Sequence, residues 1–65
     1  MTTCWVIRRD TDPPEYYYGR AAGYPIWTES INLACRWSAE KYAAFEHIDV
    51  REGKVARHIT VRAEE

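Results

Sequence analysis

The sequence predicts a small α+β domain of two layers, ordered ββα(α)β, with a three-stranded antiparallel sheet covered on one face by helix. Three observations carry that prediction. The first twenty residues alternate β-formers with turn formers, the middle third has helical spacing, and the last third alternates apolar with polar residues.

The run Thr3-Cys4-Trp5-Val6-Ile7-Arg8-Arg9 is rich in β-branched and aromatic residues and reads as a strand. Asp10-Thr11-Asp12-Pro13-Pro14 ends it, because proline donates nothing to a ladder and aspartate favours turns. Glu15-Tyr16-Tyr17-Tyr18-Gly19 is the returning strand of a hairpin. Arg20 to Pro25, bounded by Gly19 and containing Gly23, reads as a connecting loop.

Helical signals follow. Thr28 is placed as an N-cap with Glu29 in the first turn, and Ile31, Ala34 and Cys35 recur at i, i+3, i+4. Ser38 offers a second N-cap ahead of Glu40, and Tyr42 and Phe45 share one face with Ala39 and Ala43 nearby. The reading is a short helix at 29–36, an elbow at Trp37-Ser38 and a longer helix at 39–47, with one bent helix over 29–47 as the alternative. Val50 to Val55 reads as a turn with Gly53 at positive φ, and residues 47–50 offer a short strand before it. The final strand spans Val55 to Arg62, with Ile59 and Val61 facing inward, and pairs antiparallel beside the first.

Sixty-five residues allow a single domain, residues 1–65, that buries only ~60% of its unfolded surface. Three tryptophans, five tyrosines and one phenylalanine supply the core, each ring burying roughly 150–250 Å². Dimerisation is one way to add burial, so a monomer and a homodimer are both open. Nine basic and ten acidic residues leave a net charge of −1, which argues against a dedicated nucleic-acid binder. No apolar stretch reaches the ~20 residues of a membrane span. The first residues lack the basic and apolar regions of a secretory leader, and the expectation is a cytoplasmic protein. Cys4 and Cys35 are then reduced and buried.

Enzymatic chemistry finds no support, and the expectation is a protein that is not an enzyme and needs no cofactor. Cys4, Cys35, His47 and His58 lack the paired spacing of a structural zinc site, so no metal is expected. Cys35 on an apolar helix face is a poor nucleophile. Gly19-Arg20-Ala21-Ala22-Gly23 lacks the Gly-Lys-Ser/Thr ending of a phosphate loop. Trp27 and Trp37 read as core staples whose indole nitrogens lie near the core boundary.

What remains is a surface. The topology brings the loop at 10–15 and the turn at 48–54 to one end, gathering Asp10, Asp12, Glu15, Glu46, Asp49 and Glu52, partly offset by Arg51 and Lys54. Tyr17, on the adjoining strand, joins them as a partner-binding residue. The expected partner is a protein, such as a host-defence or nucleic-acid-binding complex; the alternatives are direct nucleic-acid binding through Tyr17, Trp5 and nearby arginines, and a structural subunit that dimerises through the open sheet face.

Trp27, Ala34, Trp37, Ser38 and Tyr42, following a hairpin of aromatic strands, resemble a pattern of small proteins from phages and mobile elements. That group includes anti-CRISPR proteins. The resemblance covers about half the chain and implies an accessory protein or inhibitor of host defence acting by occlusion; the co-located Asp10, Asp12, Glu15, Asp49 and Glu52 would let it imitate phosphates against a basic groove. No site residue transfers with it.

Overall fold

Residues Thr2–Arg9 form β1, an inner strand rich in β-branched and aromatic residues. The computed structural model describes the backbone of residues 2–60 and the side chains of residues 3–58. Strand β2 spans Glu15–Ala21, β3 Tyr24–Thr28 and β4 Lys54–Thr60, and one α-helix, α1, spans Glu40–Val50. All four strands lie in one antiparallel sheet in the order β3-β2-β1-β4. The α+β class and the pairing of the last strand with the first are as the sequence predicts.

The sheet has four strands where three were expected. The extra one, β3, comes from the segment read as a loop. Gly23, at φ 83°, and Ala22, at φ 52°, form a tight turn at positive φ, the geometry that closes a two-residue hairpin. Pro25, by itself a loop signal, sits on an edge strand, where its missing N–H costs nothing.

The helical third is also shorter than expected. The segment at 29–36 contains only one turn of 3-10 helix, Ile31–Leu33, preceded by Ser30, whose side chain makes no capping bond. Thr28 ends β3 instead of capping a helix, and its Oγ1 accepts the N–H of Ser30 at 3.1 Å. Helix α1 starts at Glu40 after Ala39, so Ser38 does not cap it, and it runs on through 47–50, where a short strand was expected. Its C-terminus is closed by Arg51 at φ 60°, whose N–H reaches the His47 carbonyl at 2.8 Å.

Positive φ was expected at Gly53; Arg51 takes it instead. Gly53 is needed for another reason. A Cβ there would stand 2.8 Å from the Arg8 carbonyl oxygen and 2.8 Å from Ile7 Cγ2. The turn is pressed against β1 closely enough that only glycine fits. The inward placement of Ile59 and Val61 lies outside the described side chains.

The middle of the sheet is forked. Strand β1 pairs with β4 from Thr2↔Thr60 to Arg8↔Lys54, but with β2 only at Arg8↔Tyr16 and Arg9↔Glu15. Below that point β2 peels away, and residues 35–37 enter the gap. Cys35 donates its N–H to the Tyr17 carbonyl at 2.9 Å, and Trp37 exchanges both backbone bonds with Trp5 at 2.8 and 3.0 Å. The N–H and carbonyl of Trp5 and the carbonyl of Tyr17, which have no partner across the gap, are thereby satisfied. Cys35 therefore lies in an extended segment, not on a helix face.

Ile7, Tyr17 and Val50 form the buried centre, with Trp27, Cys35, Trp37 and Val55 packed around them. Helix α1 lies against β1 and β4 and turns Ala43 and Val50 inward. Tyr42 and Phe45, expected on the packing face, are exposed.

Candidate protein-contact surface

Alternation on β2 divides three consecutive tyrosines between two faces. Tyr17 points to the core side. Its ring stacks on Trp37, with centroids 6.2 Å apart, and meets Trp27 edge-on at 6.0 Å. Its hydroxyl donates to Glu46 at 3.1 Å and accepts from Arg20 Nε at 3.2 Å. Arg20 also reaches Glu46 at 3.1 Å and Asp49 at 3.7 Å. Burial pushes the Tyr17 hydroxyl above the usual tyrosine range, and its bond to Arg20 holds that guanidinium more firmly protonated.

On the other side of the tryptophan, the Arg9 guanidinium lies 4.5 Å over the Trp27 ring and pairs with Glu15 and Glu52. Trp27 Nε1 donates to Glu52 at 3.2 Å. The indole sits at the core boundary with its nitrogen satisfied, as the sequence implies. Asp10 bonds Arg8 at 2.9 Å and Lys54 at 3.3 Å, and these cations hold its carboxyl below the usual aspartate range.

The expected acidic rim is thus gathered but largely offset. The residues from the loop at 10–15 and the turn after α1 do meet: Arg9 bridges Glu15 and Glu52, and Asp10 meets Lys54. Glu46 and Asp49 form a second group around Arg20. Of the acidic residues expected to meet a partner, Asp12 alone has no hydrogen bond or ion pair among the described residues. Tyr17 was expected to touch a partner too. It is 3% exposed, so its ring belongs to the core and only its neighbours face outward.

The outward side of the hairpin carries the residues that sequence reading missed. Tyr18 is the unpaired residue of the β-bulge between Tyr17 and Gly19, Ile26 lies opposite Gly19, and Tyr24 lies opposite Ala21. By strand alternation all three are on the sheet face opposite Trp27 and Tyr17. Tyr18 is 52% exposed, Tyr24 75% and Ile26 38%. The alternation of the tyrosine run was the available signal for Tyr18; Tyr24 and Ile26 were hidden by reading 20–25 as loop. Helix α1 carries a second exposed apolar set, Tyr42, Phe45 and Ile48.

Among the described residues no cluster of histidine, cysteine or acidic side chains is arranged to hold a metal ion, and no helix is long and apolar enough to cross a membrane. Burial raises the Cys35 thiol, which keeps it in the unreactive protonated form. No known protein family, curated protein or solved structure matches this chain.

Proposed function

We propose that this chain is a protein-binding accessory module that covers a surface of a larger partner, with the outward face of the β2–β3 hairpin as its contact. The observation that carries this reading is the exposure of Tyr18, Tyr24 and Ile26 on paired strands. Tyrosine is among the residues that dominate binding hot spots, and side chains standing on a sheet lose little freedom when they are covered. The compensated acidic end favours this face over the rim, because a partner's arginines would compete there with Arg8, Arg9, Arg20 and Lys54. The resemblance to small phage and mobile-element proteins supports a host-defence or nucleic-acid-binding complex as the partner, inhibited by steric occlusion in the host cytoplasm.

A photoreactive amino acid placed singly at positions 24, 12 and 57, in cells that contain the partner, tests the proposal. The expected result is a covalent adduct with one protein from position 24 and none from 57. An adduct from position 12 alone would move the contact to the acidic end and overturn the hairpin assignment. A titration with single-stranded and duplex DNA at low salt tests the other class of partner, since Tyr16, Tyr18 and Tyr24 also suit base stacking. Salt-sensitive binding there would replace the protein partner with nucleic acid.

A further inference from the structure

The outer side of α1 is symmetric in a way its inner side is not. Phe45 stands near the midpoint of the Glu40–Val50 helix and is 69% exposed. Tyr42 and Ile48, three residues before and after it, are 49% and 56% exposed. Lys41 and Asp49, four residues before and after it, are both exposed and carry opposite charges. Residues three and four apart lie on one helix face, so these five side chains form a single stripe.

We infer that this stripe binds a second copy of the chain, through antiparallel packing of two α1 helices about a two-fold axis at Phe45. In that arrangement each residue k positions before Phe45 faces the residue k positions after it in the partner. Tyr42 then meets Ile48, and Lys41 meets Asp49, twice in every dimer. Self-complementarity of this kind is the requirement of a two-fold interface. The in-chain ties of these charges are loose: Lys41 Nζ is 5.1 Å from the Tyr42 ring centroid and Asp49 is 3.7 Å from Arg20. The packing side of the same helix buries only Ala43 and Val50, which leaves its largest apolar groups to the second copy. A contact centred on one helix of roughly 16 Å per protomer is at the small end of interfaces, so the dimer forms at high concentration. The inference uses a different surface from the hairpin contact and stands or falls independently of it.

Sedimentation equilibrium over roughly 1 µM to 1 mM tests the pairing. The wild-type mass is expected to rise toward twice the 7.7 kDa of one chain. Phe45→Glu and the single reversals K41D and D49K should each weaken association by roughly tenfold or more while leaving the circular dichroism spectrum unchanged. The decisive sample is an equimolar mixture of K41D and D49K. Every 41–49 contact in the mixed dimer is again between opposite charges, so the mixture should recover association that neither variant has alone. The double variant K41D/D49K should recover it as well. A wild type that stays monomeric throughout overturns the inference. Failure of both the mixture and the double variant to recover also overturns it.

Discussion

Tyr17 and Tyr18 are adjacent in the chain and have almost nothing else in common. Tyr17 is stacked, hydrogen-bonded twice and 3% exposed; Tyr18 is 52% exposed on the opposite face. The same contrast holds one strand away, between Trp27 in the core and its neighbour Ile26 outside. The hairpin therefore does two jobs through alternation alone. Its inner row stabilises the domain, and its outer row is left available for contact. On the inner side, residues 35–37 fill the gap beside Tyr17 and bring Trp37 onto its ring.

The comparison is broken most severely from inside. Ile7→Ala empties the centre of the cluster that Tyr17 and Val50 share, and should cost about 2–5 kcal/mol in chemical denaturation. In a domain of this size that is a large share of the total. Gly53→Ala forces a methyl against the Arg8 carbonyl and Ile7, and should cost about 1–3 kcal/mol, with a corresponding fall in Tm. Tyr17→Phe keeps the ring and removes only its hydroxyl bonds to Glu46 and Arg20. About 1 kcal/mol is expected. It should also abolish an alkaline effect. Because burial raises the Tyr17 hydroxyl, its contribution is present at neutral pH and is lost as pH climbs past the ordinary tyrosine range. A wild-type Tm that falls there, and a variant Tm that falls less, would show it.

The outer row and the exposed ion pairs should give the smallest effects. Tyr24→Ala should change stability by no more than about 0.5 kcal/mol while removing partner capture. Asp10 acts at the acidic side. Its lowered carboxyl favours the fold above the ordinary aspartate range, and that contribution disappears as pH falls through the lowered value. Asp10→Asn should therefore flatten the loss of Tm on acidification, a small change because the group is exposed.

Much of this architecture is legible in the sequence. The β-rich start, the Asp-Pro stop and the alternating last strand gave the right class, the first hairpin and the β1–β4 pairing. The indole boundary of Trp27 followed from chemistry alone. The rest depends on contacts distant in sequence. Nothing local distinguishes Cys35-Arg36-Trp37 from a helix end; only the divergence of β2 from β1 makes it an extended wedge. Gly53 is required by a close approach to β1, which no turn rule contains. The acidic residues of the expected rim were read as a surface, yet arginines far along the chain, such as Arg20 for Glu46 and Arg9 for Glu52, fold back onto them. The exposed sets were missed because Tyr42 and Phe45 have core-like spacing while the helix packs through Ala43 and Val50.

The division of the hairpin into an inner and an outer row is tested most directly by thermal unfolding of two single variants, Tyr17→Ala and Tyr18→Ala, side by side. Tyr17→Ala should cost about 3–5 kcal/mol and leave the domain largely unfolded at room temperature, whereas Tyr18→Ala should stay within about 0.5 kcal/mol of the wild type. Equal losses from the two, or a greater loss from Tyr18→Ala, would contradict the account.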